Sequence, residues 1–168
     1  SSDLIKEKFG KVKGLKLVYF GDARFNIGNS LCIVCSKLGI NFVACTNKKY
    51  FPDASLVSEC NQWNKTSGGS ITLTESIEEA SKDADIIYTD VWVSMGEPEE
   101  VWAERIADLK PYQVNSNVMK MAKASAIFMH DLPSFHNLET KIGKDINEKF
   151  GITAMEVTAD VFESSLSV

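Results

Sequence analysis

Apolar residues along the chain form short continuous runs, which alternate with longer stretches where they recur at helical spacing. A short apolar run predicts a buried strand, and helical spacing predicts an amphipathic helix. Strands are predicted at Leu15–Phe20, Ile40–Cys45, Ser70–Thr74, Ala84–Trp92 and Ser125–His130. Helices are predicted at about Asn26–Leu38, Asp53–Gly68, Glu75–Asp83, Glu97–Lys110, Ser116–Ala124 and Glu139–Gly151. This alternation predicts an α/β domain with a mainly parallel central sheet flanked by helices.

Residues 1–14 follow a different pattern from the rest of the chain. They are rich in charge, with Leu4, Ile5, Phe9 and Val12 at roughly helical spacing. This favours the end of a helix that arrives from elsewhere, so the α/β domain itself is predicted to span residues 15–168.

Composition and charge narrow the function classes. The 168 residues suffice for one domain with a sizeable core, and 44% hydrophobic with 24% charged residues is typical of a globular protein. The net charge is −5, and the sequence contains no block of basic residues. Both features argue against nucleic acid or an acidic membrane as a partner. The four cysteines stand in apolar or helical contexts, which favours reduced core thiols in a cytoplasmic protein.

The unusual chemistry is concentrated in the loops that follow the predicted strands. In parallel α/β folds ligands bind outside the carboxyl ends of the strands. The stretches at those ends read GDARFNIGNS, TNKKYFPD, TDVWVSMGE and HDLPSFHN. A binding site is therefore expected where these four loops meet.

The first loop is a poor match to a dinucleotide site. Gly21 and Gly28 are too far apart for the G-x-G-x-x-G spacing, and bulky Arg24 and Phe25 occupy the turn. A contact from Asn26 at a helix N-terminus to a small polar ligand fits better, because the free N–H groups there favour a carboxylate.

The other loops contain ionisable side chains at strand ends. Asp90 follows a buried run, where it could begin a turn or accept a cationic ligand, and His130 with Asp131 follows the last strand. A histidine in such a place is either a hydrogen-bonded structural residue or a catalyst. A metal pair of His130 and His136 lacks a third ligand at clear spacing.

Taken together, the loops resemble a known family. GDARFNIGNSL, YTDVWVSMGE, YQVN, FMHDLPSFHN and MEVTADVFES occur in this order. From about Gly14 to its end, the chain is similar to the C-terminal, ornithine-binding half of ornithine carbamoyltransferases. The resemblance implies a three-layer Rossmann-like fold. It also implies transfer of a carbamoyl group from carbamoyl phosphate to the δ-amine of L-ornithine, giving L-citrulline and phosphate, with no metal or organic cofactor.

The resemblance also implies roles for individual residues. Asn26 and Asp90 should hold the amino-acid end of ornithine, and Ser94 with Met95 should close over the same group. The stretch from His130 to Pro133 should lie beside the reacting carbamoyl carbon. The backbone carbonyls of Asp131 and Leu132 should be available to the carbamoyl NH₂, with the Leu132–Pro133 bond in the cis form. His130, Asp131, Leu132 and Asp90 are thus the catalytic candidates.

Two positions depart from the family pattern. Asp131 stands where the family has cysteine in His-Cys-Leu-Pro, and Phe25 precedes Asn26 where the family carries Asn-Asn. One hypothesis is that Asp131, near Asp90, stabilises the protonated δ-amine and so weakens the nucleophile. The alternative is that the two carboxyl groups share a proton and act as the base.

The family's N-terminal carbamoyl-phosphate domain is missing from the chain. Neither its Ser-Thr-Arg-Thr-Arg loop nor its His-Pro-x-Gln segment occurs, and the chain stops before the expected final helix. Arg24 and Arg105 alone are too few and too scattered to bind a phosphate. The chain is therefore expected to be one domain of a longer, trimer-based enzyme and to be inactive alone.

The rival hypotheses are a degenerate relative that binds an amino acid without carbamoyl transfer, and an unrelated nucleotide-binding module.

Overall fold

One sheet of five parallel strands forms the centre of the protein. The computed structural model describes residues 2–93 and 97–168. The strands are β1 (Lys16–Phe20), β2 (Asn41–Cys45), β3 (Ser70–Thr74), β4 (Ile86–Asp90) and β5 (Ile127–Asp131). Their order across the sheet is β3-β2-β1-β4-β5, and every pairing is parallel. The predicted α/β class with a parallel sheet is confirmed.

Eight α-helices and two short 3-10 helices, Lys48–Tyr50 and Lys110–Tyr112, are seen in the described residues. The α-helices are α1 (Ser2–Phe9), α2 (Asn26–Leu38), α3 (Ala54–Ser67), α4 (Ile77–Ser81), α5 (Glu99–Leu109), α6 (Ser116–Met121), α7 (Lys141–Phe150) and α8 (Ala159–Phe162). Buried residues of α1, α2 and α3 pack on one face of the sheet, and those of α4, α6 and α8 on the other. Helices α5 and α7 enclose a third apolar cluster around Trp92. The sheet is thus the middle layer of three, as predicted.

The four cysteines lie in the core, where the sequence places them. All are buried free thiols, and Cys32 Sγ of α2 lies 3.7 Å from Cys60 Sγ of α3. Burial raises the pKa of Cys35 and of Cys45 to about 12, so neither thiol is a ready nucleophile. Their role is packing.

Most elements begin or end within one or two residues of the predicted boundaries, and three differences matter most. Strand β4 ends at Asp90 rather than Trp92, and β5 runs one residue further than predicted, to Asp131. Helix α8 was not predicted, because its four residues are too few to show helical spacing. Among the described residues, no helix has the length and apolar content needed to cross a membrane.

Candidate active site

A cleft of about 430 Å³ opens at the carboxyl ends of β1, β4 and β5. Strand β1 lies between β2 and β4. The chain adds β2 and β3 on one side of β1 and then crosses back to add β4 and β5 on the other side. Ligands of parallel α/β sheets bind at such a point. The residues that line the cleft include Tyr19, Asp22, Phe25, Asn26, Asp90, Trp92, Glu97, Arg105, Asp131, Leu132 and Pro133.

Two carboxylates face this cleft from adjacent strands. Asp90 and Asp131 are partners in the β4–β5 register, at the last paired position of both strands. In-register residues of parallel strands point to the same side of the sheet, with their strands about 5 Å apart. The sequence predicted both residues for the site, and the fold brings them side by side.

The Asp90 carboxyl is held in an environment that disfavours its charge. Burial raises the pKa of Asp90 to about 6, and the negative charge of Asp131 contributes in the same direction. The Val91 N–H, which donates to Asp90 Oδ1 at 2.7 Å, lowers the pKa again but does not cancel the effect of burial. A cationic ligand group in the cleft would relieve this penalty.

Asn26 reaches the cleft because of a close approach behind it. It is the first residue of α2 and lies on the cleft wall. Two residues later, a Cβ on Gly28 would stand 2.5 Å from Cα of Ala23, so only glycine lets the helix start this near the preceding turn. The glycine therefore fixes the position of Asn26.

The two arginines of the chain are close together, so the expectation that they are too scattered is wrong. Arg24 Nη2 lies 2.8 Å from Asp22 Oδ2, and Arg105 Nη2 lies 3.9 Å from the same atom. Both guanidinium groups also lie over the ring of Phe25, at 5.3 and 5.1 Å from its centroid. The long distance between them in sequence concealed this cluster.

Arg105 is engaged on several sides. It donates to Trp92 O at 3.2 Å and pairs with Glu97 through both carboxylate oxygens, at 3.0 and 2.9 Å. Its side chain is only 11% exposed. Since carboxylates already surround Arg24 and Arg105, the cleft as described is an acidic site.

His130 points away from the cleft. Successive residues of a strand face opposite sides of the sheet, so Asp131 faces the cleft and His130 the other layer. There its Nε2 lies 2.9 Å from Oε1 of Glu156, and its ring makes an edge contact with Phe162. Among the described residues, those that line the cleft do not include His130. Glu156 itself was not singled out in the sequence.

The remaining predicted residues divide into two groups. Leu132 lies on the cleft wall with 70% of its surface exposed, and the Leu132–Pro133 bond is cis, as expected. Ser94 and Met95 lie outside the described residues. Within residues 2–93 and 97–168, no cluster of three or more His, Cys, Asp or Glu side chains is arranged to hold a metal ion.

Comparison with known proteins agrees with this geometry. Residues 13–168 match the family model described as aspartate/ornithine carbamoyltransferase, Asp/Orn binding domain. The chain belongs to this family. This family membership argues against the hypothesis that the chain is an unrelated nucleotide-binding module.

Individual carbamoyltransferases match over nearly the whole chain. A catabolic ornithine carbamoyltransferase of Treponema denticola is 56% identical over 164 residues, covering 98% of this chain and 48% of that protein. One of Mycoplasma capricolum subsp. capripneumoniae is 51% identical, covering 98% and 53%. The solved ornithine carbamoyltransferase from Pyrococcus furiosus has a TM-score of 0.81 at 41% identity, covering 98% and 46%. This carbamoyltransferase domain thus spans about half the length of the relatives it matches.

Proposed function

We propose that the chain is the L-ornithine-binding half of an ornithine carbamoyltransferase. The full protein transfers the carbamoyl group of carbamoyl phosphate to L-ornithine, giving L-citrulline and phosphate. Helix α1 is the end of the helix that links the two halves, and residues 15–168 are the acceptor domain. Carbamoyl phosphate is held by the other domain, so this chain alone is inactive.

The observation that carries the proposal is the pairing of Asp90 with Asp131 on one wall of the cleft. L-Ornithine carries two ammonium groups and one carboxylate. A carboxylate pair complements its cations, since charge-assisted hydrogen bonds are the strong ones. Asp90 binds the α-ammonium, Asn26 and the N-terminus of α2 receive the carboxylate, and Ser94 with Met95 closes over the same end.

The same pairing supports one of the two hypotheses for Asp131 over the other. An alkylammonium has a pKa near ~10.4. The pKa of Asp90 is about 6, so even this carboxylate, which binds the α-ammonium and whose charge burial disfavours, would take a proton from an alkylammonium only at a cost of about 6 kcal/mol. The pair therefore stabilises the ammonium rather than acting as its base. Asp131 strengthens binding of ornithine and lowers the fraction of free amine.

Catalysis then rests on placement of the δ-nitrogen once it is deprotonated. The backbone carbonyls of Asp131 and Leu132 accept hydrogen bonds from the carbamoyl NH₂ and orient its carbon toward the amine. Holding two reactants in attack geometry removes about 7–11 kcal/mol of barrier in favourable cases. Leu132 is exposed in this domain and is covered when the carbamoyl-phosphate domain closes on it.

The protein is proposed to act in the cytoplasm as a trimer-based homo-oligomer without a nucleic-acid or membrane partner. No basic block is available for either of those partners, because the net charge is −5 and both arginines are paired with carboxylates.

Calorimetric titration of the full-length protein tests the acceptor. With carbamoyl phosphate present, L-norvaline, which has the α-amino and carboxylate groups of ornithine but no δ-amine, should bind. NAD and L-aspartate should not. Binding of NAD in preference to norvaline would contradict the proposal.

A further inference from the structure

One buried carboxylate outside the cleft contacts both flanks of the cleft wall. Glu156 is fully buried, and its Oε1 accepts three hydrogen bonds. The donors are His130 Nε2 at 2.9 Å, Ser134 Oγ at 2.9 Å and the Phe135 N–H at 2.7 Å. The Ser134 hydroxyl and the Phe135 N–H donate to this oxygen, and His130 joins them as a donor in the tautomer that carries its hydrogen on Nε2.

The three donors bracket the segment that faces the substrate. His130 immediately precedes Asp131, and Ser134 with Phe135 immediately follows Pro133. The three residues between them, 131–133, line the cleft. Because Leu132 is 70% exposed, packing alone holds the middle of the segment weakly, and its position depends on its two ends.

Glu156 is itself firmly anchored. Its carbonyl accepts the Val114 N–H at 2.9 Å, and the N–H of Met155 before it donates to Phe135 O at 2.8 Å. Val157 after it forms a parallel bridge with Val114. The carboxylate therefore projects from a backbone that is hydrogen-bonded on both sides.

Stability alone is a poor explanation for this carboxylate. Its second oxygen, Oε2, is buried without a hydrogen-bond partner, as is Nδ1 of His130. An apolar side chain of the same volume often stabilises a core as well as a buried polar group does. A single acceptor that gathers donors from both ends of a loop has a geometric effect that no apolar side chain could provide.

We propose that Glu156 is a positioning residue that fixes the Asp131–Pro133 segment at the reaction centre by binding both of its flanks. The inference rests on the proposed function for its catalytic consequence. Its geometric content, the placement of the segment, is independent of that function. Glu156 touches no substrate and acts through His130, Ser134 and Phe135.

The test uses the full-length protein with Glu156→Ala, Glu156→Gln and, as control, Glu163→Gln. Misplacement of a reacting group by about 1 Å can cost about a hundredfold in rate, so Glu156→Ala should lower kcat by that order. KM for ornithine should change less, since Asp90 and Asn26 hold the amino-acid end. Glu156→Gln should retain most of the rate, because an amide oxygen can accept the same three bonds.

The control carboxylate is close in sequence but far more exposed. The Glu163 side chain is 66% exposed and lies 3.8 Å from His136, which is not a donor to Glu156. Glu163→Gln should leave kcat unchanged. If titration of active sites shows that Glu156→Ala loses activity only in proportion to its unfolded fraction, the positioning role is refuted.

If Glu156→Ala does not fold, Ser134→Ala replaces it as the test variant. It removes one of the three bonds and should lower kcat by a smaller factor. An unchanged kcat in Ser134→Ala would refute the positioning role equally.

Crystal structures separate this inference from the proposed function. In Glu156→Ala or Ser134→Ala, the carbonyl of Leu132 and the carboxylate of Asp131 should be displaced relative to Asp90, while the sheet superposes on the wild type. If the wild type makes no citrulline yet the segment moves, the proposed function fails and the positioning role stands. If the segment does not move, the positioning role is wrong whatever the activity.

Discussion

Asp90 and Asp131 occupy opposite positions at the final pairing of β4 and β5, and both side chains face the same cleft. The two strands end together, so two carboxylates meet where the sheet stops. That relationship gives the site its acidic character and is the basis for proposing a cationic acceptor. It also makes the protonation of the pair a measurable property.

Replacement of Asp90 by asparagine should weaken ornithine binding in the full-length enzyme. A hydrogen bond to a charged group contributes about 1.5–3 kcal/mol, so KM for ornithine should rise about ten- to a hundredfold. Steady-state kinetics with varied ornithine measures this change. Glu59→Gln, at an exposed carboxylate on α3, is the matched control and should leave KM unchanged. Equal KM values for Asp90→Asn and the wild type would mean that Asp90 does not hold the substrate.

The same substitution should stabilise the protein without ligand. The pKa of Asp90 is raised from 3.8 to about 6 in the folded state, so folding favours its protonated form. The stability that this proton provides is complete below about pH 4 and is lost as pH rises through about 6. At pH 7.5 the ionised Asp90 should cost about 2 kcal/mol, allowing for solvent screening of a partly exposed group.

Thermal unfolding of the wild type and Asp90→Asn between pH 4 and 8 measures this effect. The Tm of Asp90→Asn should exceed that of the wild type by an amount that grows as pH rises from about 4 to about 6. Above about pH 6 the difference should stay constant. A gap that does not change with pH would show that Asp90 titrates normally.

Asp131→Cys should speed catalysis near neutral pH. Removing a carboxylate beside the δ-ammonium lowers the pKa of that ammonium by about one unit, which gives about tenfold more free amine. The pH profile of kcat/KM should therefore shift to lower pH. A turnover no higher than that of the wild type would rule out ammonium stabilisation by Asp131, and a lower one would support the shared-proton base instead.

Gly28→Ala should disturb the site through α2. The new Cβ meets the backbone of Ala23 at 2.5–2.9 Å, so the start of the helix must shift and Asn26 with it. Overpacking of this kind typically destabilises by about 1–3 kcal/mol. We expect a lower Tm and a higher KM for ornithine. Ser30→Ala, on the exposed side of the same helix, is the control for a new methyl group in α2.

The sequence was sufficient for the fold because the core strands are uninterrupted apolar runs. Buried parallel strands need such runs, and the helices between them carry clear helical spacing. The strand ends predict the loops of the site and, in them, Asn26, Asp90 and Asp131, whereas Leu132 follows only from the family resemblance. All four residues line the cleft. Local pattern determines the first three directly.

Features that depend on distant parts of the chain were harder to predict. The predicted strand ends at His130, one residue short of the observed strand, so His130 and Asp131 are predicted together as residues of the site. In a strand that continues to Asp131, the side chains of His130 and Asp131 lie on opposite faces of the sheet, because side chains alternate along a strand. Glu156 lies 26 residues from His130, and nothing local marks it as a partner. The meeting of Arg24 with Arg105 at Asp22 depends likewise on how α5 packs.

The most direct test of the central claim is citrulline formation by the full-length protein that contains this chain. With carbamoyl phosphate and L-ornithine, the wild type should form citrulline and phosphate in equal amounts, Asp90→Asn should lose most of the rate at low ornithine, and residues 1–168 alone should form none. A correctly folded wild type that binds ornithine but produces no citrulline would contradict the account and identify an amino-acid-binding relative without transferase activity.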